Sequence, residues 1–543
     1  MIGAWEYLAS WGQRFLSAGR SLLERPFSVF TRCPGVAGFC LAFLLVAMTA
    51  HLGLSLADEG YEWYGAQRVL AGEIPLRDFM SYDPARYYCL AAVMWLLHSH
   101  GLAALQVGVA LFAGLAVGLA SSMLFRDGSS RSFLLCLMAS LTFIMWLFPR
   151  HKIVDISVSV ILVASLAAML REPTRLRCFL AGLCIGIAAI FGRNHGLYGA
   201  LAGVGGLAIV VWAERRAHAI PSYSYWFLGV VVGYLPMLTA MALVQDFWTW
   251  FWASIRVYFE LGMTNQGVSV PWPWRVPLTL PLPALLRGWL VGLLLIVQPL
   301  FGITVTTYAV VRARKNKQPV DPLLLASGLL ALVYTHHAYA RAGLGHLAQA
   351  IYPLLIGSLL LITRMDRSKV LVFASAACAV SVFLLLPRQY WYQRLTEGNW
   401  VKLKVGPDTI AMDPYTAKRV HVLTGLVDRY APAGREFMAV PYLPGTYALF
   451  DRRAPIWDTY PSWGADTEVQ QAAIRRIQTE RPGFVLIERA TLDDNPAYAY
   501  VNTNPQVYAY ILAHYLPVQD PQLPPNWGWD VYVPASPGQP SGQ

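Results

Sequence analysis

Charged side chains are scarce in this chain of 543 residues, since aspartate, glutamate, lysine and arginine together make up 13% of it. Hydrophobic residues make up 56%, and the mean hydropathy is +0.44. One soluble core could not bury that much apolar surface, so the composition predicts a protein that has the bilayer as its solvent. The net charge of +11 does not indicate nucleic acid, because the basic residues are concentrated in short turns between apolar segments.

Cysteine is also sparse. The seven cysteines lie in or beside apolar segments, form no CxxC pair and are absent after Cys378. This pattern indicates neither a disulfide scaffold nor a zinc ribbon. No internal repeat is visible, and no soluble nucleotide-binding domain precedes the apolar part.

Apolar runs that could cross a bilayer recur between residues 36 and 387. A membrane helix needs about 20 mostly apolar residues, because every backbone amide must be satisfied inside lipid. Eleven segments have this length or come close to it, near 36–57, 102–124, 132–149, 153–170, 178–192, 197–213, 225–244, 284–311, 322–335, 347–363 and 370–387. We therefore predict a polytopic α-helical membrane domain over 36–387 with about 11 to 13 transmembrane helices.

The basic turns predict the orientation. Residues 1–35 carry arginines among leucines and aromatic residues, which is typical of a cytoplasmic amphipathic N-terminus that is not cleaved. With that end inside, arginine and lysine cluster in the inside turns. The apolar segment 87–97 is too short to cross, so we place it at the outer interface. The loop 58–101 and all residues after 388 are then outside the cytoplasm, in a multi-pass protein of the cell (inner) membrane.

Residues 388–533 differ in kind from the rest. They contain β-like runs at 437–440 and 484–488, a helical stretch at 468–479, and many prolines. We predict an extracytoplasmic (periplasmic) α/β domain. The end, 534–543, is rich in proline, glycine and serine, which predicts a disordered tail.

The loop after the first span has a distinctive composition. It opens with Asp58-Glu59-Gly60, passes through Gly72-Glu-Ile-Pro75 and Asp78-Phe79, and reaches Tyr82-Asp83-Pro84. Over about 30 residues it resembles the first extracytoplasmic loop of the GT-C superfamily, in the branch of protein O-mannosyltransferases and the lipid A aminoarabinose transferase (glycosyltransferase family 39-like). The Trp-Trp-Asp-Tyr-Gly motif of the oligosaccharyltransferase branch is absent, which disfavours N-linked en bloc transfer.

The resemblance implies a GT-C fold and an inverting glycosyltransferase. The donor would be a sugar on a polyprenyl-phosphate carrier, and the acceptor a glycan, protein or lipid outside the cytoplasm. The other expected partner is the lipid bilayer; nucleic acid is not expected. The sequence does not specify a cofactor. A divalent cation is a candidate whose ligands are unknown, because the spacing of the histidines matches no standard set.

Sugar transfer from a lipid phosphate needs a carboxylate that takes the acceptor's proton and cations that stabilise the leaving phosphate. Asp58 is the predicted general base; the alternative is an N-cap for a helix that starts at Gly60. Glu59 is the second catalytic candidate, with a solvated face or a metal ligand as alternatives.

Basic residues in outside loops have no topological cause, so some of them are candidate phosphate ligands. The alternative is that they snorkel toward the headgroups. An unpaired carboxylate at Asp155 would be costly near the membrane, so we expect it to pair with Arg150 or Lys152, or to orient the acceptor. The predicted substrate-binding residues are Arg86, Asp155, Arg193, His195, Arg341 and His346.

Two other function classes remain open. A polytopic transporter or flippase of a lipid-linked or small-molecule substrate would place ionisable residues near the bilayer midplane and often show two related halves. A non-catalytic membrane scaffold could bind a partner through the C-terminal domain, but it does not explain the loop that begins at Asp58.

Overall fold

The structure, a computed structural model, describes residues 31–126, 132–212, 221–260, 268–316, 321–432, 434–461, 464–521, 523–524 and 527–535. Almost all of the predicted amphipathic stretch 1–35 and of the predicted tail 534–543 lies outside these residues.

The part of the chain before residue 388 is built from helices. They are α1 (Pro34–Ala47), α2 (Asp58–Leu70), α3 (Ala85–Leu96), α4 (Leu102–Leu124), α5 (Phe133–Met145), α6 (Ile153–Arg171), α7 (Arg175–Phe191), α8 (Arg193–Trp212), α9 (Ser222–Leu243), α10 (Phe247–Glu260), α11 (Leu282–Asn316), α12 (Pro322–Ala340), α13 (Leu344–Ala350), α14 (Tyr352–Thr363) and α15 (Arg367–Leu385). Short 3-10 helices occupy Arg150–Lys152, Pro273–Arg275 and Leu386–Arg388.

Within the described ranges, seven helices are long and apolar enough to cross a membrane, and α13 with α14, bent by 63°, makes an eighth when taken as one broken span. Three further predicted segments correspond to the shorter helices α1, α5 and α7, of 14, 13 and 17 residues. Each of the eleven predicted apolar segments therefore contains a helix. The prediction of a polytopic helical membrane protein is confirmed.

The first apolar segment, predicted over 36–57, is helical over only part of its length. Helix α1 ends at Ala47, and Gly53 turns the chain with a left-handed φ of 72°. The chain then pairs with a C-terminal strand: Ala411 N donates to His51 O at 2.9 Å, and Gly53 N donates to Ala411 O at 2.8 Å. Backbone groups that leave a helix need new hydrogen-bond partners. Here the C-terminal part of the chain supplies them, which shortens the first helix.

The C-terminal part contains a hairpin and a mixed sheet. Strands β1 (Val401–Val405) and β2 (Asp408–Met412) pair antiparallel. The four-stranded sheet has the order β3-β4-β6-β5, with β3 parallel to β4 and the other pairs antiparallel. Its strands are β3 (Met438–Val440), β4 (Val485–Glu488), β5 (Tyr515–Val518) and β6 (Trp529–Pro534).

Helices pack around these strands: α16 (Tyr390–Glu397), α17 (Pro414–Tyr430), α18 (Pro444–Leu449), α19 (Thr467–Glu480), α20 (Tyr500–Thr503) and α21 (Pro505–His514), with short 3-10 helices at Leu492–Asp494 and Pro496–Tyr498. The predicted runs at 437–440 and 484–488 form β3 and β4, and the predicted helix at 468–479 is α19. Their inward side chains, such as Val440, Ile477 and Ile487, share one buried cluster. The predicted α/β character is confirmed.

The sheet domain lies against the loop 58–101. Helices α2 and α18 approach so closely that a Cβ added to Gly60 would lie 2.4 Å from the Cα of Gly445. Gly445 N also donates to Leu56 O at 2.8 Å. Helix α3 has 12 residues, about 18 Å, against the roughly 30 Å of a bilayer core. Because α3 is too short to cross, the whole loop 58–101 lies on one face of the helical part. The sheet domain contacts this loop and therefore lies on the same face.

Candidate functional site

Asp58 and Glu59 are the first two residues of α2. Ala57 holds the N-cap position and makes no side-chain cap hydrogen bond. Ser55 closes the first turn: its Oγ accepts from Asp58 N at 3.2 Å, and its own N donates to Glu59 Oε2 at 3.3 Å. The alternative in which Asp58 serves as an N-cap is therefore wrong, and its carboxylate makes other contacts.

Those contacts come from two distant parts of the chain. Tyr460, in the C-terminal domain, donates its hydroxyl to Asp58 Oδ1 at 2.9 Å. His151 Nε2 lies 3.9 Å from the same oxygen. Burial raises the pKa of Asp58, but His151, the Tyr460 hydroxyl, Lys152 and Arg341 together outweigh it and hold the pKa below its ordinary value. Asp58 is thus ionised at neutral pH, which is the form that a base requires.

Glu59 has a different environment. Its side chain is 3% exposed, and the Arg150 guanidinium donates to both of its carboxylate oxygens, at 2.6 and 2.7 Å. Arg150 also donates to the carbonyls of Thr49 and Leu52 at 3.0 and 2.9 Å. Glu59 therefore anchors the start of α2 to the end of the first span. The solvated-face alternative is wrong, and a catalytic role for Glu59 stays a prediction.

A buried ion cluster lies behind Asp58. Arg86, 2% exposed, donates to Asp155 at 3.0 and 2.5 Å and to the carbonyl of Phe191 at 3.0 Å. Lys152 Nζ lies 3.9 Å from Asp155. Asp155 therefore pairs with Lys152, one of the two predicted alternatives, and chiefly with Arg86. A bidentate guanidinium–carboxylate pair is the geometry that a buried charge needs.

Histidines and tyrosines extend the cluster into the helical bundle. His195 Nε2 lies 3.0 Å from Asp155 Oδ1, and its Nδ1 lies 2.6 Å from the Tyr334 hydroxyl. Tyr198 then faces His336 Nδ1 at 2.8 Å. His195, predicted as a substrate ligand, is 6% exposed. The geometry gives it a place in the buried network, one residue removed from Arg86.

Glu62, one helical turn after Asp58, is 1% exposed and lies 3.4 Å from Arg86. Asp155 already balances the charge of Arg86 at shorter distances. Burial accordingly raises the pKa of Glu62 to about 8, although Arg86 and Lys152 act in the opposite direction. Glu62 is therefore protonated at neutral pH, as a neutral carboxyl beside a satisfied ion pair.

This protonation has a measurable effect on stability. Because the pKa of Glu62 is higher in the folded than in the unfolded protein, stability is full below the unfolded value and falls as the pH rises toward 8. The slope is up to about 1.4 kcal/mol per pH unit. We expect the unfolding midpoint of the wild type to fall between pH 5 and pH 8 more steeply than that of Glu62→Gln. Thermal unfolding in detergent measures these midpoints. Glu480→Gln, at an exposed position, is the control. Parallel pH curves for wild type and Glu62→Gln would contradict the buried neutral carboxyl.

Arg193 lies on the other side of the loop. Its backbone N and its Nε donate to the two oxygens of Asp83 at 2.8 and 2.9 Å, and its guanidinium reaches Ser254 at 3.2 Å. It also lies over the Phe251 ring, 5.0 Å from the centroid. Arg193 thus ties α8 to the loop and to α10. A phosphate that binds Arg193 has to share it with Asp83.

Arg341 follows the last residue of α12, and His346 lies in α13. Arg341 pairs with Asp493 of the C-terminal domain and is close enough to Asp58 to lower its pKa. His346 stacks on His337 with ring centroids 5.0 Å apart, and His337 contacts Gln349 at 3.1 Å. Arg341 therefore belongs to the surroundings of Asp58, whereas His346 packs against a neighbouring histidine.

Among the described residues, no group of three or more histidine, cysteine, aspartate or glutamate side chains has the arrangement of a metal site. The possible divalent cation therefore has no assigned ligands.

Glu62 lies beside Arg86 in the ion cluster, and His151 and Tyr460 lie beside Asp58, but none of the three was predicted from the sequence. A signal existed for two of them. His151 stands in the basic string Arg150-His151-Lys152 at the outer end of a span, and Glu62 shares a helix face with Asp58 four residues earlier. Nothing in the sequence distinguishes Tyr460 from the other tyrosines.

A cavity of about 310 Å³ opens beside Asp58. Glu59, Arg150 and His151 line it together with Asp58. Leu45 also lines it and is 40% exposed, so the cavity borders the exposed surface of α1. The apolar part of the lining comes from Leu45, Val46, Ile144, Met145, Leu147 and Phe148, and further polar residues of the lining are Thr49, Ser55, Arg388, Gln389 and Gln393. The cavity thus places the carboxylate of Asp58 in a lining that is partly apolar and partly polar.

Comparison with known proteins found similarity to solved structures. Two structural neighbours are ArnT from Cupriavidus metallidurans bound to undecaprenyl phosphate and the same protein in the apo state. The TM-score is 0.48 in both cases, the sequence identities are 13% and 14%, and the match covers 91% of this chain and 97% of the other. No protein-family model and no curated protein matches this chain. A superposition of this quality transfers neither an activity nor a ligand.

Proposed function

We propose that this protein is an inverting glycosyltransferase of the GT-C type that moves a sugar from a polyprenyl-phosphate carrier to an acceptor outside the cytoplasm. The environment of Asp58 supports this most: an ionised carboxylate that lines a partly apolar cavity and has the basic side chains of His151, Lys152 and Arg341 around it. The resemblance of the loop 58–101 adds that Asp58 matches the acidic residue of that superfamily. The basic turns favour a cytoplasmic N-terminus and a periplasmic C-terminal domain in the cell (inner) membrane.

In the proposed reaction Asp58 takes the proton of an acceptor hydroxyl or amine. As this proton leaves, the acceptor atom forms a bond to the anomeric carbon while the bond from that carbon to the phosphate oxygen breaks. The electron pair leaves with polyprenyl phosphate, and a single displacement inverts the configuration. A base that remains ionised at neutral pH suits this step, because the acceptor's proton is lost only as its bond to carbon forms.

Lys152 and Arg341 are the basic groups that we assign to the leaving phosphate. Both lower the pKa of Asp58, so both act on the electrostatic environment of the proposed base. Lys152 lies over the Tyr82 ring at 3.8 Å, with Asp155 at 3.9 Å. Arg86 is already held by two short bonds to Asp155, so we assign it to positioning. Cations near a developing phosphate charge are the usual source of stabilisation in phosphate-leaving reactions.

The cavity suits the hydrocarbon chain of the donor. Apolar side chains of the first span and of α5 line part of it, and Asp58 lines it as well. A prenyl chain that enters from the bilayer would bring its phosphate to the level of α2, where the basic groups are.

Filling this cavity should weaken the binding of the donor. Met145, 8% exposed, lines it from the end of α5. We expect Met145→Trp to raise KM for the polyprenyl-phosphate sugar by about tenfold, a cost of about 1.4 kcal/mol, with a smaller change in kcat. Leu134→Trp is the matched control, because Leu134 lies on the same helix and is 50% exposed. Equal KM values for Met145→Trp and the wild type would remove the cavity from donor binding.

The transporter alternative predicts a different location for the ionisable groups. A transporter would concentrate ionisable groups at the bilayer midplane. Here Asp155 and His195 lie in the first turns of α6 and α8, and Arg341 follows the last residue of α12. The charged network is therefore at one end of the helices, which favours chemistry at a membrane face.

The proposal is tested with purified protein in lipid nanodiscs, a labelled polyprenyl-phosphate sugar and membrane extract as the source of acceptor. We expect release of polyprenyl phosphate and transfer of the label with inversion. If the donor remains intact with every extract, while proteoliposomes carry it from one leaflet to the other, the transferase proposal fails and a flippase is favoured.

A further inference from the structure

Tyr460 brings the C-terminal domain into the candidate site. Its hydroxyl is 2.9 Å from Asp58 Oδ1, although the two residues are 402 positions apart in the chain. It lies in the segment between α18 and α19, which passes over the start of α2. The contact therefore exists only because the domain is docked on the loop.

The segment that precedes Tyr460 is hydrogen-bonded to the loop 58–101 through Trp457. Met80 N donates to Trp457 O at 2.8 Å, and the indole of Trp457 donates to Leu76 O at 2.9 Å. Tyr460 N then donates to Asp458 Oδ1 at 3.0 Å. These bonds position the backbone of Tyr460 independently of its side chain.

The ring of Tyr460 is held as well. It lies 5.4 Å from the ring of Tyr61 and 5.3 Å from that of Tyr442. The hydroxyls of these two neighbours point elsewhere: Tyr61 donates to Met80 O at 2.9 Å, and Tyr442 donates to Tyr498 O at 3.1 Å. Of the three packed rings, that of Tyr460 carries the hydroxyl that bonds Asp58.

We propose that Tyr460 is a positioning residue for the transfer reaction: it fixes the Asp58 carboxylate through Oδ1 and leaves Oδ2 to accept the acceptor's proton. This rests on the proposed function. A hydrogen bond to one carboxylate oxygen fixes the orientation of the carboxylate and favours its ionised form before the acceptor binds. Less reorganisation is then needed in the reaction. The sheet domain thus contributes to the reaction itself.

The proposal predicts a change in acidity as well as in rate. A hydrogen bond to an ionised carboxylate favours that form and lowers its pKa. The bond from Tyr460 acts in this direction on Asp58, against burial and together with His151. Removal of the hydroxyl should therefore raise the pH below which Asp58 is protonated.

The test is Tyr460→Phe, which keeps the ring and removes the hydroxyl. We expect kcat to fall by about tenfold, and the acid limb of kcat/KM to move up by about one pH unit. Infrared titration of the Asp58 carboxyl, taken as the difference between the wild type and Asp58→Asn, should move by a similar amount without any need for turnover.

Tyr442→Phe and Tyr61→Phe are the matched controls, because each removes a hydroxyl from the same ring cluster that does not bond Asp58. We expect neither to move the acid limb or the carboxyl titration. An unmoved carboxyl titration in Tyr460→Phe overturns the inference, and so does an equal shift in Tyr442→Phe, which would mean that ring packing is responsible. Transfer that is unaffected in Asp58→Asn would instead overturn the proposed function, and it is recognised without any tyrosine variant.

Discussion

Replacement of Asp58 by asparagine is expected to lower kcat/KM for sugar transfer by about two to four orders of magnitude, the usual contribution of a general base. The amide has the same shape and can still accept the Tyr460 hydroxyl, but it cannot take a proton at neutral pH. Donor binding should remain, because Lys152 and the cavity walls are unchanged. We therefore expect the loss mainly in kcat, with KM for the donor close to that of the wild type.

The fold should tolerate this change. The Asp58 side chain is 44% exposed, and no helix cap depends on it. We expect the thermal midpoint to move by no more than about 2 °C. Single-turnover assays with labelled donor, run beside thermal unfolding, separate a lost base from a lost fold.

Asp451→Asn is the matched control for this experiment. Asp451 is 64% exposed, pairs at 3.4 Å with Arg68, and has a φ of 50° that asparagine accepts readily. Its transfer rate should equal that of the wild type. If Asp58→Asn retained full kcat while Asp451→Asn did as well, Asp58 would have no part in the chemistry.

The helices were predictable because their signal is local. Runs of apolar residues mark α4, α6 and α12 without any knowledge of what they contact, and strand propensity marks β3 and β4 in the same way. The true length of α1 was not predictable. It depends on Gly53 and on a pairing with Ala411, more than 350 residues away, which no window of the sequence contains.

The partners of the charged residues were least predictable. Arg193 and Arg341 were predicted to bind phosphate because a basic residue outside the membrane has no topological reason to be there. Their carboxylate partners are Asp83 and Asp493, which are 110 and 152 residues distant. The sequence alone does not show that an arginine already has a carboxylate partner, because tertiary contacts decide that pairing. The prediction of Asp58 as the base, in contrast, depends on a local feature, its position after the first span.

The largest expected loss of stability comes from Arg86. It is 2% exposed, and Asp155, with which it pairs, is buried beside it. Replacement of Arg86 by methionine fills similar space but leaves the Asp155 charge with only Lys152 at 3.9 Å and His195 at 3.0 Å. Removal of one partner of a buried pair costs about 3 to 5 kcal/mol, because the other charge remains without water. We expect Arg86→Met to lower the thermal midpoint strongly.

Two further variants distinguish this mechanism from a simple loss of packing. Arg489→Met removes one partner of an exposed pair, 60% and 38% exposed with Asp530, and should cost no more than about 1 kcal/mol. The double variant Arg86→Met with Asp155→Leu removes both charges, so it should be more stable than Arg86→Met alone, since no carboxylate is left uncompensated. Thermal unfolding of the three proteins decides the matter. If the double variant were less stable than Arg86→Met, the buried charge would not be the cause of the loss, and the packing of Arg86 against Tyr82, 4.7 Å from its ring centroid, would have to account for it.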